Sequence, residues 1–248
     1  MSNDSSDMVI DIGNTRMKVA LFVNDSLDGV LSFSNRAHKK VADLLEKTSP
    51  ERGILSNVSK LNKPVANLFK KNMEVIDFKH NTAVPISINY RTPKTLGTDR
   101  IANAVGAHTK YPERNILIID FGTCIKFDIV TAEGSFEGGA ISPGVMMRFK
   151  SMSKMTGKLP RIKEWKDSEE IWPGKDTRSS MASGVIQGIQ SEILRYMDIS
   201  SEHYENLKVL ATGGDFGFFD KAFKNLIFAH PYLTLEGLHE ILKFNNRD

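Results

Sequence analysis

Met8-Val9-Ile10 forms a short apolar run that ends in Asp11-Ile12-Gly13-Asn14-Thr15, and the following RMKVALFV alternates polar with apolar side chains. Alternation at every second residue is the signature of a half-buried strand, so this stretch reads as a strand–turn–strand unit. A polar turn at Asn24-Asp25-Ser26 leads into a third candidate, Val30 to Phe33. Near the middle of the chain the pattern returns. Ile116 to Ile119 runs into Asp120-Phe121-Gly122-Thr123, CIKFDIV alternates, Glu133-Gly134 turns, and Ser135 to Ile141 follows. The repeat is too long for a solenoid and predicts a duplicated domain. The Pro-containing polar segment Tyr111 to Asn115 is the natural junction, giving domains 1–114 and 115–248.

Helical spacing marks the remaining elements. Asn35 to Lys47 and Leu61 to Lys71 read as helices, with GILSN between them as a short strand. Thr98 to Lys110 carries Ile101, Ala104 and Val105 on one face and Asp99 in its first turn. Val185, Ile186, Ile189, Ile193 and Met197 form a second stripe, and Leu235, Leu238, Ile241 and Leu242 a terminal one. Leu207 to Ala211 reads as a buried strand ending at Thr212-Gly213-Gly214. In each half strands come first and helices later.

Composition narrows the class. The 248 residues are 40% apolar and 25% charged, with a formal net charge of +3. Lys and Arg are scattered, so no nucleic-acid surface is expected. One cysteine, Cys124, excludes an internal disulfide and a Cys-rich zinc site, and the six histidines show no metal-ligand spacing. The opening MSNDSSDMVI is unlike a targeting peptide, and the most apolar stretch is too short for the ~18 residues of a membrane span. A cytoplasmic α/β protein is expected.

The candidate chemistry lies at the strand ends. A glycine between two strands lets backbone N–H groups approach a ligand, and successive N–H groups make a concavity suited to phosphate oxygens. In DIGNT, Asn14 and Thr15 add neutral donors, Asp11 offers a carboxylate for Mg²⁺, and Lys18 can reach back toward phosphates. An ordinary hairpin turn uses the same residue types. DFGT repeats the combination, and two such loops facing each other across a cleft would grip a triphosphate. ATGGDFG supplies a third glycine-rich strand end, against which a flat nucleoside can lie.

These motifs resemble the two-lobed ATPase superfamily of sugar kinases, actin and the 70-kDa heat-shock chaperones. Within it the chain resembles type III pantothenate kinase, the enzyme that starts coenzyme A synthesis in many bacteria. DIGNTRMK matches the family's DxGNT with its following lysine. Tyr90 and Gly97-Thr98-Asp99-Arg100 match a tyrosine followed by GxDR, and DFGT matches DxGT. Gly138 to Gly144 match GGxIxPG, and Thr177, Ser183-Gly184, ATGG and the LTLEGL of Leu233 to Leu238 are also typical. The resemblance implies an α/β fold of duplicated ribonuclease-H-like (actin-like ATPase) domains, each a mixed sheet flanked by helices. It implies ATP-dependent phosphorylation of pantothenate, with Asp99 as proton acceptor. Tyr90, Gly97, Thr98, Asp99, Arg100 and Thr177 would contact pantothenate. Asp11, Ile12, Gly13, Asn14, Thr15, Arg16, Met17, Lys18 and Thr123 would bind ATP with its Mg²⁺. Asp120 would hold a monovalent cation, K⁺ or NH₄⁺, and the protein would be a homodimer.

The residues themselves support the Asp99 role. Phosphoryl transfer needs positioning, charge neutralisation and a base for the attacking hydroxyl. A carboxylate at a helix start followed by arginine supplies the base and an anion contact, although Asp in a first turn is also a common helix cap. One departure stands out. The family usually continues DxGT with small and hydroxyl-bearing residues, whereas this chain has Cys124-Ile125-Lys126. Strand alternation puts Cys124, Lys126 and Asp128 on one face, from which Lys126 can approach the phosphates or pair with Asp128. The rivals to a pantothenate kinase are another small-molecule kinase or polyphosphate hydrolase of the superfamily, and a non-catalytic nucleotide-binding regulator on the same fold.

Overall fold

The alternating RMKVALFV segment folds back on the opening apolar run because every second side chain of both is apolar. In the computed structural model, which describes residues 6–13, 16–34, 37–57, 63–164 and 172–246, β1 (Ser6–Ile12) pairs antiparallel with β2 (Arg16–Val23). β2 turns through Asn24 and Asp25 into β3 (Ser26–Ser34). Both turn residues have positive φ, at 49° and 62°, which is the geometry a tight two-residue hairpin needs and Asn and Asp tolerate.

Next come α1 (His38–Thr48), β4 (Arg52–Asn57), α2 (Lys63–Asn72) and β5 (Glu74–Phe78). β4 lies parallel to β1, and β5 lies parallel to β4, giving the sheet order β3-β2-β1-β4-β5. The short β6 (Ser87–Ile88) and α3 (Thr98–Lys110) follow.

The second half repeats this plan. β7 (Ile116–Phe121) pairs antiparallel with β8 (Cys124–Val130), and β9 (Ser135–Pro143) flanks β8. After α4 (Val145–Met155) and α5 (Thr177–His203), β10 (Lys208–Thr212) lies parallel to β7 and β11 (Phe228–Ala229) parallel to β10. Within a six-stranded sheet that β6 extends beyond β9, the five strands β9-β8-β7-β10-β11 repeat the order of the first sheet. The duplicated α/β architecture expected from the repeated opening is present, as two mixed sheets flanked by helices.

Two compact units result. One comprises 1–112, 134–136 and 232–248; the other comprises 113–133 and 137–231. The terminal helix α6 (Leu233–Asn245) thus belongs with the first unit, although it follows the second in sequence. It closes on α3 at two glycines. A Cβ on Gly237 would stand 1.8 Å from the Ala102 carbonyl oxygen, and one on Gly106 would stand 2.7 Å from that of Leu233. Only glycine permits that approach.

Each unit has its own core. Met8, Ile10, Ile12, Met17, Leu55 and Phe69 fill the first. Phe121, Phe127, Phe149, Ile189, Ile193 and Phe219 fill the second. The α5 stripe that begins at Val185 is spent on this second core.

Candidate functional site

In the first unit the candidate residues gather at the C-terminal ends of parallel strands. Asp11 stands opposite Lys18 on β2 and opposite Ser56 on β4. The Gly13 N–H donates to the Arg16 carbonyl at 3.0 Å and tightens the turn between β1 and β2. Asn14 and Thr15 lie outside the described residues. Ile12 and Met17 are fully buried and belong to the core of this unit. The Arg16 guanidinium is turned to Ser32, with Nε 2.8 Å from its hydroxyl.

The GTDR segment is tied to the same strand ends. Ser56 Oγ and Thr98 Oγ1 lie 3.0 Å apart, which links the end of β4 to the first turn of α3. Gly97 caps that helix, and Asp99 Oδ1 accepts the Arg100 N–H at 2.9 Å. Half-buried Asp99 therefore sits at the positive end of a helix, where a carboxylate is favoured. Arg100 is buried, its guanidinium carbon 5.7 Å from the Tyr90 ring centre and 5.4 Å from that of Phe136. Tyr90 and Arg100, ten residues apart in sequence, thereby share one corner, to which Asp99 is joined through the Arg100 N–H. Phe136 completes it and carried no sequence signal except its place in an alternating strand.

In the second unit three motifs converge on one turn. DFGT ends β7, and the Gly144 N–H donates to the Thr123 carbonyl at 3.1 Å. A Cβ on Gly144 would stand 2.6 Å from the carbonyls of Gly122 and Thr123, which explains the glycine that closes GGAISPG. The Asp215 N–H donates to the Phe121 carbonyl at 3.0 Å. Gly213 has φ +96°, and a Cβ there would lie 2.5 Å from the Phe121 backbone. Beside these turns Gly214, Asp215, Gly217 and Phe218, with Met146 and Lys163, line a cavity of about 410 Å³. That is ample for a nucleoside base. Burial raises the Asp215 pKa above the ordinary carboxylate value. Thr123 and Thr177 are exposed.

Asp120 repeats the setting of Asp11. It faces Thr212 on its parallel neighbour and Lys126 on its antiparallel neighbour, as Asp11 faces Ser56 and Lys18. Lys126 Nζ lies 2.6 Å from Asp120 Oδ2, and the two side chains are 14% and 12% exposed. The sequence offered Lys126 two courses, toward the phosphates or to Asp128, and this ion pair with a strand-end aspartate is a third. Asp120 Oδ2 is thus met by an ammonium, the same charge a monovalent cation would bring to this carboxylate.

Sequence spacing also missed a polar cluster in the first unit. Buried Asp7 accepts from Arg52 Nε at 2.6 Å and lies 3.0 Å from His239 Nε2, with Asp25 3.8 Å from the same ring atom. The His239 ring stacks on Phe22, with centroids 3.9 Å apart. Burial works against the Asp7 charge, but the His239 and Arg52 contacts prevail and hold its pKa below the usual aspartate value. The cluster joins α6 to β1, with Asp7 and His239 232 residues apart in sequence.

Known proteins place the chain. The family model described as type III pantothenate kinase matches residues 7–198. The type III pantothenate kinase of Bacteroides fragilis YCH46 is 40% identical, over 97% of this chain and 98% of its own. That of Phocaeicola vulgatus is 36% identical over 97% and 99%, and that of Christiangramia forsetii 39% over 96% and 98%. Among solved structures, a Campylobacter jejuni protein described as a Baf family transcriptional activator superposes with TM-score 0.63 at 21% identity, covering 96% and 98% of the two chains. A Listeria monocytogenes protein described as an N-acetylmannosamine kinase superposes with TM-score 0.54 at 11% identity, covering 97% and 100%. At those identities the two structures speak for the fold alone. The sequence relationship is far closer and runs nearly end to end, and by it the chain belongs to the type III pantothenate kinase family.

Proposed function

We propose that the protein transfers the γ-phosphoryl group of ATP to the primary hydroxyl of pantothenate, giving 4′-phosphopantothenate and ADP, the first step of coenzyme A synthesis. The observation that carries this reading is the corner of Tyr90, Asp99 and Arg100 in a chain related along almost its whole length to pantothenate kinases. Asp99 accepts the hydroxyl proton as the oxygen attacks the γ-phosphorus and ADP departs. Arg100 and Tyr90, with Gly97 and Thr98, orient pantothenate, whose carboxylate suits a guanidinium. Thr177 is a further pantothenate contact.

The turn from Asp11 to Lys18 and Thr123 contact the ATP phosphates through backbone N–H groups, hydroxyls and the Lys18 ammonium. The cavity beside Gly214 receives the base. Asp11, a hard oxygen donor at a strand end, suits Mg²⁺, which neutralises phosphate charge when bound with ATP. The protein acts in the cytoplasm as a homodimer. No helix among the described residues is long and apolar enough to cross a membrane.

A coupled assay of ADP release, with ATP, Mg²⁺ and a potassium salt, tests the reading. Release that depends on added pantothenate is expected. Release indifferent to pantothenate points to a hydrolase, and none at all to a nucleotide-binding regulator.

A further inference from the structure

We infer that the Lys126 ammonium is a built-in replacement for the monovalent cation implied at Asp120, so that catalysis here needs neither K⁺ nor NH₄⁺. The inference rests on the kinase reading above and concerns one charge in its phosphate site.

Three observations carry it. Asp120 and Lys126 are directly opposed in the antiparallel β7–β8 ladder, which puts both side chains on one face of the sheet. Their charged atoms lie 2.6 Å apart, and both side chains are mostly shielded from water. The pair also stands at the root of the DFGT turn, whose Thr123 is exposed.

Charge arithmetic then works against a second cation. An ion at Asp120 must shed water, which is repaid only if it meets net negative charge. The carboxylate is already neutralised, and an added K⁺ would stand within a few ångströms of an ammonium. At such distances like charges in a shielded site repel strongly. A lysine ammonium is, in turn, the chemical equivalent of NH₄⁺ with one hydrogen replaced by an alkyl chain. It delivers the same charge without a binding equilibrium.

A plain structural ion pair is the competing explanation. The β7–β8 ladder is, however, already held by its backbone hydrogen bonds along Ile116–Phe121, so the pair is not required for strand pairing. The two explanations differ in what a neutral residue at 126 does to cation response.

The experiment measures pantothenate-dependent ADP release in potassium, ammonium, sodium and tetramethylammonium chlorides at equal ionic strength. It also measures the melting temperature of the substrate-free protein in the same salts. The wild-type protein is expected to turn over at the same rate in all four and to melt at the same temperature in potassium and tetramethylammonium. Lys126→Met, and independently Lys126→Thr, should lose about 10²-fold in rate in sodium, as loss of a charge-stabilising group does. Potassium or ammonium should restore much of that loss and raise the variants' melting temperature.

A wild-type rate that collapses without potassium overturns the inference. So do variants that fold but respond to potassium in neither rate nor melting temperature. If both variants fail to fold, the wild-type salt series still decides. If no salt supports pantothenate-dependent release, the kinase reading fails. The melting series then stands alone, and a potassium-specific shift in the wild-type protein overturns the internal-cation assignment.

Discussion

Asp99 is a half-buried and Asp7 a buried carboxylate, and their surroundings differ. Asp99 keeps one oxygen on the Arg100 N–H at the start of α3, beside the guanidinium that Tyr90 and Phe136 flank. Asp99→Asn preserves size and the helix contact and removes the proposed base. It should lower kcat by about 10²–10⁴-fold, the usual worth of a general base, with an unchanged melting temperature. Steady-state kinetics with a thermal melt checks both halves of that expectation. Asp7, by contrast, is locked to Arg52 and His239, and its pKa is lowered in the folded state. Its contribution to stability is complete above the unfolded aspartate value near 3.8 and is lost as pH falls through the lower folded value. The melting temperature should therefore drop steeply on the acid side of pH ~4, and Asp7→Asn should flatten that limb while lowering stability at neutral pH. An acid limb identical in the variant would contradict the assignment.

At the scale of elements, the sequence was most legible where alternation and turn chemistry agreed. The β1–β2–β3 meander, its counterpart at β7–β8–β9, helix α3 and the buried β10 follow the apolar pattern closely. Element ends shifted by a few residues, as at α1, which begins at His38. The less legible pieces have physical reasons. β5 and the two-residue strands β6 and β11 are too short or too half-buried to show a period. α4 mixes Met, Lys and Ser around a small buried face of Val145 and Phe149, so its stripe is faint. The packing of α6 on α3 is invisible to any local pattern, because it depends on Gly106 and Gly237 meeting across the chain. Gly237→Ala would drive a methyl group into the Ala102 carbonyl and push the helices apart. A loss of about 1–3 kcal/mol is expected, read as a lower urea midpoint with an unchanged slope. A neutral substitution would contradict the close packing of the two helices.

For the whole molecule, the motif set carried more information than composition or charge. The strand-end turns announced phosphate chemistry, and the doubled sheet order β3-β2-β1-β4-β5 and β9-β8-β7-β10-β11 gives that repetition a structural form. Charge balance at Asp120 needed the register with Lys126, which alternation alone left open. Sequence order is also a poor guide to the units, since 232–248 packs with the first. The quaternary proposal belongs at this scale. Val185, Ile186, Ile189 and Ile193 of α5 are buried within their own unit, so a dimer must use other surface, such as the face bearing exposed Leu194. Sedimentation at micromolar concentration should return twice the 27.7 kDa chain mass. A monomer at that concentration would contradict the proposed dimer.

Identification of the phosphorylated product tests the central claim most directly. The protein is incubated with ATP, Mg²⁺ and pantothenate, and the mixture is resolved by phosphorus NMR and mass spectrometry. A phosphomonoester on the primary hydroxyl of pantothenate, formed in step with ADP and nearly absent with Asp99→Asn, is the predicted result. ADP accompanied by inorganic phosphate alone, or a product formed equally well without the Asp99 carboxylate, would contradict it.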